Sequence, residues 1–327
     1  MAGVQGSQLA IAVSNAGGLG SLPAAMLSLN DLRTELARIK AGTDRPYNVN
    51  FFCHETPVPD ARRDALWQQA LAPCYRELGL DMGVIGAGPG RSPFSAETAD
   101  VLEEFKPPVV SFHFGLPSAA LLARVKSWGA TVLSSATTVD EALWLEAHGA
   151  DIVIAQGLEA GGHRGHFLSH DLTLQMGTFA LLPQVVQALK VPVVAAGGIA
   201  DAQGVAAALA LGAAGVQVGT AYLLAHEATT SQVHRSALQS DAARHTALTN
   251  LFTGRPARGI VNRLMVALGP LSPEAPEFPL ATAAIAPLRA KAESLGSGDF
   301  SPLWSGQNAS ACREASAADI TRALFAA

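Results

Sequence analysis

The sequence predicts an α/β chain wound as a closed (β/α)8 barrel, on three observations. Short apolar runs alternate with alanine-rich helical stretches through the first 224 residues. The runs are apolar on both faces, as in a parallel sheet covered by helices rather than an antiparallel sheet with one wet face. The 327 residues include 49% hydrophobic and only 15% charged side chains, which supplies one large core and argues against disorder.

The elements follow in order. Leu9–Asn15 reads as a helix, Gly18–Leu22 as a strand, Leu29–Ala41 as a helix and Tyr47–Phe52 (YNVNFF) as a second strand. A regular series comes next. Val109–Phe114 is a strand, Ser118–Trp128 a helix, Thr131–Ser135 a strand, Val139–His148 a helix and Ile152–Gln156 a strand. Thr178–Leu189, Val191–Ala196, Ala202–Leu211 and Gly215–Gly219 continue as helix, strand, helix, strand. These make seven strands where a closed barrel takes eight. The missing member is expected ahead of Leu9–Asn15, so that the sequence starts after the first barrel strand; alternatively, Asp81–Ala87 (DMGVIGA) supplies the eighth.

After Leu224 the alternation stops. Ser231–Asn250 reads as helical, Gly254–Arg263 as loop and Pro270–Pro279 as a proline-rich acidic connection. Three parts result: residues 1–224 as the barrel, 225–290 as an α-helical cap, and 291–327 as closing helices packed back on the barrel.

The formal charge of −5 gives no reason to expect a nucleic acid or an anionic membrane as partner. Ala202–Ala225 lacks acidic and basic residues over a bilayer-spanning length, but its glycines suit a buried helix and strand better. Cys53, Cys74 and Cys312 have no paired spacing and read as reduced thiols of a cytosolic protein.

Reactive residues of such a barrel sit at strand C-termini and in the loops that follow. That rule selects Asn50, His113, Gln156, the loop Gly157–Gly165 (GLEAGGHRG) and the pairs Gly197-Gly198 and Gly219-Thr220. Two glycine turns after successive late strands let backbone N–H groups approach an anion, although a tight turn alone would also want glycine. His163 on the glycine loop could serve as a general base or stand as an exposed loop histidine. His113, flanked by Phe112 and Phe114, alternates into the barrel as a ligand group or as a satisfied core group. His163, His166 and His170 lack the spacing and the accompanying carboxylate or thiol of a metal site, so no metal is expected.

The motifs NAGGLG (Asn15–Gly20), RPYNVNFF (Arg45–Phe52), VSFHFG (Val110–Gly115), AQGLEAGGHRG (Ala155–Gly165), VVAAGGI (Val193–Ile199) and QVGTAYL (Gln217–Leu223) resemble, in order, those of the nitronate monooxygenases. LWSGQ (Leu303–Gln307) resembles a C-terminal segment of the family, and VSFHFG with EAGGHRG favours its class I. The resemblance implies an FMN-containing barrel that oxidises alkyl nitronates, such as propionate 3-nitronate, with O2 to a carbonyl compound and nitrite. It implies Asn50, Gln156, Gly161, Gly197, Gly198, Gln217, Val218, Gly219 and Thr220 around FMN, with Met1 and Ala2 at the end of the family's opening Pro-Met-x-Gly-type turn. It further implies His163 as catalytic histidine and His113 in the substrate pocket; a cytoplasmic monomer or homodimer is expected.

Where class I relatives carry tyrosines and a lysine, Pro276–Lys291 has Phe278 and no tyrosine, with Arg289 or Lys291 as candidates for the cation. Two rivals to the monooxygenase remain. One is an NADH-dependent FMN reductase of an enoyl thioester or quinone; the other is a non-catalytic flavin-binding barrel.

Overall fold

The computed structural model describes residues 3–86 and 90–326. In chain order the first half contains α1 (Ser7–Asn15), β1 (Gly20–Pro23), α2 (Leu29–Gly42), β2 (Tyr47–Phe52), α3 (Ala61–Glu77), α4 (Ala96–Phe105), β3 (Val109–His113), α5 (Ala119–Ser127), β4 (Thr131–Ala136), α6 (Val139–Ala147) and β5 (Ile152–Gln156). The second half contains β6 (Gly162–His163), α7 (Thr178–Ala188), β7 (Val193–Ala196), α8 (Ala202–Ala210), β8 (Gly215–Gln217), α9 (Gln232–Leu238), β9 (Thr246–Thr249), β10 (Ala257–Ile260), α10 (Arg263–Leu268), α11 (Thr282–Ser294) and α12 (Ala317–Phe325).

Seven parallel strands pair in the order β1-β2-β3-β4-β5-β7-β8, with helices on the outer face: an α/β fold of the TIM-barrel kind. The described part of Asp81–Ala87 forms a 3-10 turn over Met82–Val84 and joins no sheet. Capping side chains start the helices where the sequence places them. Ser118, Thr138 and Asp201 each accept a hydrogen bond from the N–H three residues on, which satisfies one orphan donor of α5, α6 and α8.

Helix-facing strand residues are fully buried. Val49, Val110, Phe112 and Val132 pack with Leu36, Leu102 and Val125 of α2, α4 and α5. Each such side chain contributes about 1.5–3 kcal/mol by leaving water. The opposite face of β1–β3 is polar. Asn48 donates through Nδ2 to Ser21 Oγ (2.8 Å) and Ser111 Oγ (2.7 Å), and Ser111 Oγ donates to Asn50 Oδ1 (2.8 Å).

A second core lies beside the barrel. Trp67, Leu71 and Tyr75, four residues apart on α3, pack against Leu251, Phe252, Leu264, Ile285 and Leu288. Tyr75 Oη donates to the Ala284 carbonyl (2.7 Å), pinning α3 to α11. Residues 225–290 therefore depart from the all-helical expectation. Within them, Ser231–Asn250 ends in β9, and Gly254–Arg263 contains β10 instead of plain loop. Together with β6 these form an antiparallel sheet in the order β6-β10-β9, in which Ala257 faces His163. That sheet couples the cap to the glycine loop. None of the described helices is long and apolar enough to cross a membrane; Ala202–Ala225 is divided between α8 and β8.

Candidate active site

The loop after β5 is the centre of the site, and its sequence explains its shape. Gly162 has φ +73°, a left-handed conformation that glycine adopts without strain. A Cβ on Gly161 would lie 2.5 Å from the backbone nitrogen of Gly306, so only glycine permits the contact with the C-terminal segment. Gln156 clamps the loop with both ends of its amide. Nε2 donates to the His163 carbonyl (2.9 Å), and Oε1 accepts from the Gly165 N–H (2.7 Å).

Fully buried Arg164 holds the base of the loop, donating to the carbonyls of Gly157 (2.7 Å) and Gln156 (2.8 Å) and to Gln175 Oε1 (2.7 Å). Arg258 Nε donates to the Leu158 carbonyl (2.8 Å). The loop is thus fixed by its own Arg164 and by Gln156 and Arg258 from outside it, and is no free surface turn.

His163 is half-buried, and its Nε2 lies 2.9 Å from Thr253 Oγ1. The Thr253 hydroxyl also reaches the Arg255 carbonyl (3.4 Å), which can only accept. With its proton directed there, Thr253 accepts from His163 Nε2–H and leaves Nδ1 as the lone-pair nitrogen. His113 closes β3, with Nε2 3.2 Å from the His163 carbonyl.

Burial lowers the pKa of both histidines. His113 is pushed down to about 3 and His163 well below its ordinary value, with Arg91 the largest charged contributor to the latter. Both are neutral at pH 7. A Cβ on Gly165 would stand 2.8 Å from His113 Cε1 and 3.1 Å from Ser135 Cβ. Gly165→Ala is expected to displace the His113 ring and to cost about 1–3 kcal/mol of stability as overpacking. Thermal melting tests it; an unchanged melting temperature would show that the ring is not held by this contact.

Around the histidines stands an aromatic cage. Phe52, Phe114 and Phe278 have ring centroids 6.1, 6.1 and 5.2 Å from that of His163. Phe114 takes φ +71°, a strained value for an aromatic residue, and this turns its ring beside His113 (4.5 Å) instead of outward with the helix-facing residues. Buried His54 lies 4.8 Å from Phe278, its Nδ1 has no partner among the described residues, and burial lowers its pKa to about 4.

The ends of β7 and β8 form a separate polar cradle. Gly197 and Gly198 have φ +115° and +73°. Among the described residues the N–H groups of Gly198, Gly219 and Thr220 find no acceptor. Free donors at the ends of two neighbouring strands are what a phosphate monoester requires. Gln217 is exposed at the end of β8, with Val218 and Gly219 half-buried after it. Asn50 lies within β2, two residues before its end, and its Oδ1 is already bonded to Ser111. Its Nδ2 makes no hydrogen bond among the described residues and is left as a donor. The residues present therefore fit a planar ligand that carries a phosphate: donors for the phosphate, a glycine loop for close approach, and the Asn50 amide as a further polar group. Met1 and Ala2 lie outside the described residues.

Arg289 and Lys291 do not supply the missing cation. Both are exposed on α11, and Arg289 pairs with Glu293 (2.8 Å). Two arginines that sequence reasoning passed over lie at the cage instead. The Arg91 guanidinium is 5.8 Å from the Phe278 ring centroid, and that of Arg255 is 4.0 Å from the Phe114 centroid. Among the described residues no group of three or more potential ligands gathers as a metal site.

The profile of the family described as "Nitronate monooxygenase" matches residues 1–326. A nitronate monooxygenase of Paraburkholderia phytofirmans is 42% identical over 99% of this chain and 89% of its own length. One from Pseudomonas aeruginosa is 41% identical over 99% and 93%. Among solved structures, a nitroalkane oxidase from Streptomyces ansochromogenes superposes with a TM-score of 0.91 at 39% identity, covering 100% of this chain and 93% of that one. FabK from Thermotoga maritima gives a TM-score of 0.73 at 27% identity over 99% and 89%. With a profile match over nearly every residue and two relatives above 40% identity, the chain belongs to the nitronate monooxygenase family of flavin-dependent oxidoreductases.

Proposed function

We propose that this chain oxidises alkyl nitronates with O2 to a carbonyl compound and nitrite, using FMN held at the C-terminal ends of β2, β5, β7 and β8. The observation that carries the reading is the meeting of two neutral histidines, His113 and His163, beside a clamped glycine loop and a cradle of free N–H donors. Bound FMN supplies the electron acceptor and the subsequent reaction with O2.

The protein's share is orientation and charge. In this reading the ring of His163 lies over the glycine loop, and its free Nδ1 accepts the α-proton when a neutral nitroalkane is offered. His113, held by the His163 carbonyl, borders the same space and positions the nitronate oxygens. Phe52, Phe114 and Phe278 exclude water and so strengthen every charge interaction inside. The FMN phosphate takes the donors of Gly198, Gly219 and Thr220, and Asn50 Nδ2 and the Gln156–Gly161 segment meet the ring.

A visible spectrum tests the proposal. A flavin band that is changed anaerobically by propionate 3-nitronate and left alone by NADH is the expected result. Bleaching by NADH alone would move the chain to the reductases, and a colourless folded protein would overturn the cofactor reading.

A further inference from the structure

Arg91 and Arg255 stand at the aromatic cage, and among the described residues neither makes an ion pair. Arg91, on the segment after the Met82–Val84 turn, donates from Nη1 to Thr282 Oγ1 (3.0 Å) and makes no ion pair among the described residues. Arg255 donates to the His166 carbonyl, and its buried Nε has no partner. The acid with the largest influence on Arg255 is Glu141. Its carboxylate is already taken by Thr137 N (2.7 Å), Thr137 Oγ1 (2.8 Å), Phe167 N (2.6 Å) and Leu168 N (3.2 Å). Burial lowers the pKa of both arginines, and both in turn depress His163, so their charge is felt at the histidine. Glu141 acts on Arg255 only at a distance and no acid acts on Arg91, so the half-buried Arg91 guanidinium is costly unless a ligand brings it a negative charge.

The two cations occupy different places. Arg255 lies over Phe114, the residue after β3, and touches the loop after β6; it is on the barrel side, where the strand ends are. Arg91 contacts Phe278 and Thr282, at and just before α11, on the cap side. The two guanidinium groups thus flank the Phe114–Phe278 pair, whose ring centroids are 5.5 Å apart, Arg255 at Phe114 and Arg91 at Phe278.

We propose that Arg91 is a specificity-determining residue that reads a second anionic group, such as a carboxylate, at the end of the substrate away from the nitronate. This rests on the nitronate reading of the site. It makes Arg91 a binding group with no part in proton or electron transfer. Its planar fork suits a bidentate carboxylate, with Thr282 holding the guanidinium in place.

The test compares propionate 3-nitronate with propyl 1-nitronate, which has the same carbon count and no carboxylate, on the flavin-loaded wild type, Arg91→Met and Arg91→Lys. Arg91→Met is expected to lower kcat/KM for the carboxylate substrate about 30-fold or more, mostly through KM, the usual scale for removing one partner of a desolvated charge pair. Propyl 1-nitronate should change by no more than about 3-fold, and Arg91→Lys should recover part of the loss. Equal losses on both substrates, or no loss on either, would overturn the assignment.

Calorimetric binding of 3-nitropropionate against 1-nitropropane separates this idea from the function itself, because it needs no turnover. If the wild type oxidises no nitronate but binds 3-nitropropionate through Arg91, the reaction is wrong and the anion site stands. If turnover is present and Arg91→Met binds 3-nitropropionate as the wild type does, the anion site is wrong and the reaction stands.

Discussion

His163→Ala is expected to lower turnover of a neutral nitroalkane by about 10²-fold or more, the scale for losing a general base, while the protein keeps its flavin spectrum. The cofactor contacts assigned to this loop come from backbone and from Gln156, whose amide binds the carbonyl of residue 163 and not its ring. Alanine preserves that carbonyl. The loss should be much smaller for a preformed nitronate, from which the α-proton is already gone. Steady-state rates with 1-nitropropane and with its nitronate, side by side, measure the difference. An unchanged nitroalkane rate would remove His163 from proton transfer, and an equal fall on both substrates would make it an orienting group only.

The second large effect is on stability in mild acid. Five histidines are held neutral by burial: His54 and His234 with pKa about 4, His113 and His166 about 3, and His163 well below 6.5. In the unfolded chain each titrates near 6.5. Above that pH both states are neutral and these groups contribute no slope. Below it the unfolded chain takes up protons that the folded chain refuses, so stability falls as pH falls, until the folded values near 4 and 3 are reached. Each group can cost at most about 1.4 kcal/mol per pH unit, and five together approach the whole stability of an ordinary domain between pH 6.5 and 5. A denaturation midpoint followed from pH 8 to pH 5 should hold level and then drop steeply from about pH 6.5. A midpoint level down to pH 4.5, where carboxylates begin to protonate, would mean that the histidines are hydrated and free to charge.

The barrel was legible because its signal is repetitive. Apolar runs of four to six residues recur between alanine-rich helices, and every one of the seven strands expected from them pairs in the parallel sheet. The cap was not legible. Its strands are TALT and ARGI, four residues each, without apolar alternation, and Arg258 faces inward to bond a carbonyl of the glycine loop. Helix α3 belongs to the second core through Trp67, Leu71 and Tyr75, yet lies in sequence between two barrel strands. No local pattern marks which core a helix will join.

In the site, the glycine loop and the strand-end glycines announce themselves by spacing, because close approach of backbone demands glycine. Arg91 and Arg255 do not. A loop arginine reads as a solvated charge, and what singles these two out is burial without an ion-pair partner among the described residues, which is a property of three dimensions. Phe114 misled alternation for a related reason: one left-handed φ reversed the side to which its ring points.

The C-terminal segment carries a consequence of another kind. Gly306 N donates to Thr220 Oγ1 (2.9 Å), Gln307 N to the Glu159 carbonyl (2.9 Å), Asn308 Nδ2 to the Gly198 carbonyl (3.0 Å) and Cys312 Sγ to the Thr220 carbonyl (2.9 Å). One short stretch near the end of the chain thereby laces together three loops that belong to three different strands. Those three loops are therefore held in one arrangement before any ligand arrives, and little ordering entropy is left to lose when one binds there.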